Sequence, residues 1–133
     1  MKNPKIRAYH KIYKKIYDVI SLQFYYDGAP CAVVVSVKPF YDRELVKVED
    51  IIIEQGTGIK DKNGREIYQG DIVAEHNGDI IGTIVQHPSG EWQIAWIGIF
   101  GGVSKLYDHR DLCEVIGDIH RNPELLKEEK NEK

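Results

Sequence analysis

Gln55-Gly56-Thr57-Gly58-Ile59-Lys60-Asp61-Lys62-Asn63-Gly64-Arg65-Glu66-Ile67-Tyr68-Gln69-Gly70-Asp71-Ile72-Val73 sets turn chemistry inside a strand-rich chain. Ile59 is the last apolar residue before a polar run from Lys60 to Glu66, and Ile67-Tyr68 resume the apolar pattern. Asp61-Lys62-Asn63-Gly64 suits a tight turn. An Asp side chain bonds backbone N–H groups two residues on, Asn tolerates a left-handed backbone, and Gly takes positive φ without a Cβ penalty. A second turn falls at Gly70-Asp71, after which Ile72-Val73-Ala74 enters a strand. The block reads in two ways. It is a binding loop displaying Lys60, Asp61, Lys62, Asn63, Arg65 and Glu66, or a hairpin whose charges keep it soluble. A calcium loop is excluded, because the glycine stands at the fourth position rather than the sixth and no glutamate occupies the twelfth.

Working outward, the C-terminal half is rich in strand signals. Ile72 to Glu75 and Ile80 to Gln86 flank Asn77-Gly78, a strong hairpin signal. Pro88-Ser89-Gly90 makes the next turn, and Trp92, Ile94 and Trp96 alternate with Gln93 and Ala95 along one strand. Ile97 to Val103, with three glycines, reads as a bulged connection. Leu112 to Ile119 is a last strand, and Asn122-Pro123 opens a short helical turn to Leu126. In the N-terminal half, Lys5 to Tyr9 is a short strand. Lys14 to Tyr26 has helical spacing at Ile16, Val19, Ile20 and Leu22 but ends in Phe24-Tyr25-Tyr26 and an Asp27-Gly28 turn signal. Cys31 to Val37 reads as a strand buried on both faces and ended by Pro39, and Ile51 to Ile53 as strand or core. The expected fold is mainly β: an SH3-like small barrel in the C-terminal half, N-terminal strands packed on it, and minor helix. Residues 1–126 form a single domain, with N-terminal strands over 1–54 and a barrel-like half over 55–121, and 127–133 read as a charged, disordered tail.

Three segments in order resemble the YopX family, small proteins encoded in phages and prophages of bacteria. Residues 55–73 follow the family pattern Q-aromatic-T-G-L-K-D-K-N-G-K-E-I-Y-E-G-D-I-V. Ile6-Arg7-Ala8-Tyr9-His10-Lys11 resembles its opening F-R-A-W-D-K. Val115-Ile116-Gly117-Asp118-Ile119-His120-Arg121-Asn122-Pro123-Glu124-Leu125-Leu126 resembles its closing V-I-G-N-I-Y-E-N-P-E-L-L. The chain departs at Gly56, where an aromatic is usual, at His10 for an acid, and at His120 for a tyrosine. The resemblance implies a genetic setting and a fold. It implies no catalytic residues.

Composition bounds the function. The 133 residues are 42% hydrophobic and 29% charged, ordinary for a soluble globular protein. No apolar stretch follows the N-terminal residues, so no signal peptide is expected, and Cys31 to Val37 is too short to cross a bilayer. The expected setting is the host cytoplasm, off the membrane, with Cys31 and Cys113 reduced. The net charge of −3 is uneven: residues 1–15 carry Lys2, Lys5, Arg7, Lys11, Lys14 and Lys15 and no acid. That basic arm, with Lys11, Lys14 and Lys15 as its core, could meet phosphates, dock on another subunit, or simply be a lysine-rich edge strand that resists aggregation.

Catalytic and metal signals are weak. The histidines at 10, 76, 87, 109 and 120 lack zinc-site spacing and read as five separate surface residues, although His76 and His87 flank one hairpin. Asp108-His109-Arg110-Asp111 with Cys113 offers a base beside a nucleophile. Strand alternation would put His109, Asp111 and Cys113 on one face, but no orienting group or oxyanion donor can be named. No phosphate-cradling glycine motif is present. Trp92, Trp96 and Phe100 are either core or an exposed face for stacking on bases or peptide. The reading is therefore a non-enzymatic, cofactor-free interaction module. It forms homo-oligomers through its N-terminal strands and the Cys31–Val37 segment, or binds a host or phage protein. The alternative is a nucleic-acid binder using the basic arm.

Overall fold

The computed structural model describes residues 5–24, 30–37, 42–98 and 101–127, with backbone alone for 23–24, 30–37 and 42–44. The Asp27-Gly28 turn, Pro39, Phe100, Lys2 and the tail beyond 127 lie outside the described residues. The chain divides into two units, residues 1–55 and 56–133. The mainly β expectation is borne out in both.

The first unit holds β1 (Ile6–His10), β2 (Lys15–Phe24), β3 (Pro30–Val37), β4 (Asp42–Lys47), a 3-10 turn at Val48–Asp50 and the start of β5 (Ile51–Lys60). Its strands pair antiparallel in the order β4-β3-β2-β1-β5. β1 is therefore a central strand, hydrogen-bonded to β2 on one side and β5 on the other, and not the lysine-fringed edge that its charge suggested. Arg7 of that strand is buried and its Nε donates to Glu54 Oε1 at 2.9 Å. One of the six cations is thereby neutralised inside the fold. Ala8, Val46 and Ile51 form the buried centre, with Tyr17, Val19, Leu22 and Ile53 packed against it.

One helical step in β2, from Val19 to Leu22, has a simple origin. The pairing with β3 shifts register between Val19 and Ser21, a bulge that inserts Ile20. Tyr17 and Val19 face the core two residues apart, but the next core residue, Leu22, comes three residues later. A bulge thus imitates an i, i+3 helical step, while the β-branched and aromatic composition wins as strand.

In the second unit the latter part of β5 pairs with β6 (Glu66–Tyr68). A five-stranded antiparallel sheet follows, ordered β10-β9-β8-β7-β11, from β7 (Asp71–Glu75), β8 (Ile80–Gln86), β9 (Trp92–Trp96), β10 (Val103–Lys105) and β11 (Glu114–Asp118). Its bonded order is open, with β10 and β11 at the ends. A single helical turn, α1 (Leu106–His109), and 3-10 turns at His76–Gly78 and Pro123–Leu126 complete it. Ile67, Val73, Ile84, Ile94, Leu106, Cys113 and Val115 make the core, and Ile59, Trp92 and Trp96 pack around it. Asn122 stands at the N-cap of the last turn as expected, but its side chain makes no capping bond. Its Oδ1 instead accepts the Asp118 N–H at 3.2 Å. Among the described residues no helix is long and apolar enough to cross a membrane.

The Asp61 turn is fastened to β11. Asp61 is buried; its Oδ1 accepts the N–H groups of Asn63 and Arg65, both at 2.9 Å. Its Oδ2 accepts the Val115 N–H at 2.9 Å, and the Lys62 N–H reaches the Cys113 carbonyl at 3.0 Å. Gly64 and Gly70 take φ of 82° and 87°, the left-handed region that the turn reading required. Residues 61–62 thereby bond to an edge strand of the sheet, which would otherwise offer unpaired backbone groups.

Candidate ligand cleft

Beyond the far end of the β7–β8 hairpin the second unit holds an open cleft of about 520 Å³. That volume is within the roughly 300–1,000 Å³ of small-molecule sites. Glu75, His76, Asp79, Ile80, Trp96, Ile97, Gly98, Gly101 and His109 line it.

Each wall has a local cause. β7 runs Asp71-Ile72-Val73-Ala74-Glu75, and alternation puts Glu75 on the same side of the sheet as Val73, which is in the core. Glu75 is accordingly buried, at 7% exposure, and such a carboxylate needs a partner. It finds His109, whose Nδ1 lies 2.7 Å from Glu75 Oε2. His109 ends α1, a turn anchored in the core by the fully buried Leu106. With Glu75 as a carboxylate, which only accepts, Nδ1 is the ring nitrogen that donates.

Trp96 closes β9. Its indole Nε1 donates to Ser104 Oγ at 2.8 Å across to β10, and its ring meets His109 edge-on with centroids 5.5 Å apart. Gly82 stands opposite Trp96 in register, and a Cβ there would lie 2.9 Å from Trp96 Cε3 and 2.5 Å from Ile94 Cγ2. The glycine is what lets the indole lie against β8. The hairpin turn supplies the rim. His76, Asn77 and Gly78 all have positive φ, and the Asp79 N–H bonds the His76 carbonyl at 3.2 Å. A left-handed histidine is uncommon, and such strained backbone gathers at functional sites.

Cys113 does not join this chemistry. α1 and the turn after it replace the strand alternation expected over 109–113. The Cys113 thiol is free and wholly buried. Its pKa is pushed up to about 11, first by burial and then by the charges of Glu75 and Asp61. A thiol in that state is a poor nucleophile.

The other anticipated residues lie elsewhere. Lys60 ends β5, exposed. Asp61 is turned inward and is not displayed. Lys62, Asn63 and Arg65 are exposed, with Lys62 Nζ 3.7 Å from Glu114 Oε1. Lys11 and Lys14 sit on the β1–β2 turn and Lys15 opens β2, all three exposed. The histidines are not five surface residues, because His10 is buried. His76 and His87 stand at opposite ends of β8, separated by roughly 20 Å at strand rise, so they do not face each other. Among the described residues no group of three or more His, Cys, Asp and Glu could hold a metal ion. Trp92 and Trp96 are half-buried against the core. No sequence motif marks the Glu75–His109 pair. The signal is a second acid, after Asp71, on the core-facing side of β7.

The family model described as YopX protein matches residues 5–127. This chain belongs to the YopX family. Its fold is also similar to the crystal structure of protein EF1440 from Enterococcus faecalis, with a TM-score of 0.64 and 25% identity. That likeness covers 96% of this YopX-family chain and 100% of the other. Among curated proteins, none matches.

Proposed function

We propose that this YopX-family protein is a non-enzymatic interaction module of phage or prophage origin, acting in the bacterial cytoplasm, and that the cleft is its gripping surface. The observation that carries this reading is the Glu75–His109 pair beside Trp96. A buried carboxylate fixes a histidine in one orientation, a pinned indole forms the adjoining wall, and Ile80 and Ile97 add apolar surface. Pockets that recognise a partner combine an apolar lining with a few oriented polar groups in this way. Binding is favoured over catalysis by Cys113, whose thiol next to the histidine turn stays protonated.

The test is affinity capture from host cells during prophage induction, with wild type and Ile80→Glu as bait. Ile80 is 40% exposed, so a charge there blocks the cleft without entering the core. Partners, host, phage or self, that wild type retains and the variant loses support the reading. Identical captures refute it.

A second reading, nucleic-acid binding, is favoured by the exposed Lys11, Lys14 and Lys15 around one turn. It predicts a salt-sensitive shift of DNA or RNA that disappears when these lysines are neutralised. No shift at low salt ends it.

A further inference from the structure

The β1–β2 turn is a built apolar tip. Buried His10 organises it: Nδ1 accepts the N–H groups of Ile12 at 3.3 Å and Tyr13 at 3.2 Å. The Lys14 N–H returns to the His10 carbonyl at 2.8 Å, and Lys14 takes φ of 58°. The Tyr13 ring stacks on the His10 ring with centroids 4.3 Å apart and planes 18° from parallel. This much internal bonding holds the tip in one shape, yet it displays Ile12 at 66% and Tyr13 at 58% exposure, ringed by exposed Lys11, Lys14 and Lys15. Two adjacent apolar side chains displayed together on a hydrogen-bonded tip offer a small contact surface.

The cleft is complementary to that tip. Its walls are Ile80, Trp96 and Ile97, its acids are the exposed Asp79 and the His109-paired Glu75, and among the described residues no lysine or arginine lines it. An occupant should bring one or two apolar groups flanked by cations. From these two surfaces we infer that the cleft receives the Ile12–Tyr13 tip of a second copy of this chain. This rests on the reading of the cleft as the gripping surface and names its occupant. Tip and cleft are different surfaces, so the contact is head-to-tail, and repetition builds a ring or an open chain of copies rather than a two-fold dimer. A tip of four residues buries less than a standard interface, so association is weak and concentration-dependent.

Complementation tests it. Sedimentation velocity of wild type, up to roughly 200 µM to populate a contact below standard size, is expected to show self-association that weakens as salt rises. Ile12→Asp, which spoils the tip, and Ile80→Glu, which spoils the cleft, are each expected to sediment as monomers. Ile12→Asp keeps its cleft and Ile80→Glu keeps its tip, so an equimolar mixture should form a 1:1 pair and nothing larger. The double variant should pair with nothing. Lys11→Ala with Lys15→Ala, at two exposed positions, should weaken association several-fold, and far-UV circular dichroism checks that every variant is folded. A monomeric wild type, an Ile12→Asp variant that still associates, or a folded mixture that fails to pair each overturns the inference. A monomeric wild type whose captured partners are nevertheless lost with Ile80→Glu overturns the tip while leaving the cleft reading intact. A protein that self-associates through the tip while Ile80→Glu changes nothing overturns both.

Discussion

Asp61 accepts the Val115 backbone N–H at 2.9 Å, a bond across 54 residues that ties the central turn to the last strand of the sheet. The same carboxylate holds the Asn63 and Arg65 N–H groups, so one side chain shapes the turn and attaches it. Asp61→Ala strands these donors, the Val115 N–H in a buried setting, and should cost about 3 kcal/mol, since bonds to charged acceptors contribute roughly 1.5–3 kcal/mol each and losses within one cluster do not simply add. Asp61→Asn keeps one oxygen but turns an amide N–H₂ against a donor, and should lose less. Urea midpoints measure both. Exchange of the Val115 amide should quicken in each variant, and an unchanged midpoint in Asp61→Ala would show that the turn is held by other means.

Gly82 and Gly117 are each fixed by a close neighbour. A Cβ on Gly82 meets Ile94 Cγ2 at 2.5 Å and Trp96 Cε3 at 2.9 Å, and one on Gly117 meets Asn122 Oδ1 at 2.6 Å. Either alanine must push its neighbour aside, at about 1–3 kcal/mol. Their consequences differ. Gly82→Ala moves the indole that walls the cleft, so in a Trp92→Phe background the Trp96 emission should change along with stability. Gly117→Ala should lower the melting temperature and leave that emission alone.

Much of this architecture was legible in the chain because local chemistry and global fold agree. The Asp61-Lys62-Asn63-Gly64 turn, the Asn77-Gly78 hairpin and the Trp92–Trp96 strand stand where turn residues and alternation put them. Misreadings arose where one local feature imitated another. The bulge at Ile20 gave β2 a helical step, and the cationic crowd around β1 concealed a central strand whose Arg7 is paired inside. The cleft was hidden for a different reason. It depends on Glu75 and His109, 34 residues apart, meeting through α1, and a four-residue helical turn leaves no periodicity to detect.

Asp118 gives the fold an acid limb. Burial alone would raise its pKa. The Arg121 backbone N–H and guanidinium, with the His120 N–H, outweigh that and hold it below the ordinary 3.8. A carboxylate whose folded pKa is depressed contributes stability that is fully present above its unfolded value and is lost as pH falls through its folded value. Stability should therefore fall below pH 3.8, and Asp118→Asn should flatten that part of the profile while lowering stability at neutral pH. Urea titrations from pH 2 to 7 on both proteins measure the difference; parallel curves would remove Asp118 from the account.

Cys113 carries the opposite sign. Its thiol is raised from 9.0 to about 11, so burial favours the protonated form. A group whose folded pKa is raised contributes stability present below its unfolded pKa and lost as pH climbs through the folded one, which places the window between pH 9 and 11. In a Cys31→Ser background, native protein at pH 8 should resist a thiol-specific disulfide reagent and react fully once unfolded in urea. Cys113→Ala leaves a small apolar gap in the core at about 1 kcal/mol and should keep the partner capture of wild type, because the thiol takes no part in the cleft. Rapid labelling of the folded protein at pH 8, or loss of captured partners in Cys113→Ala, would return the cysteine to the site and reopen nucleophilic chemistry beside His109.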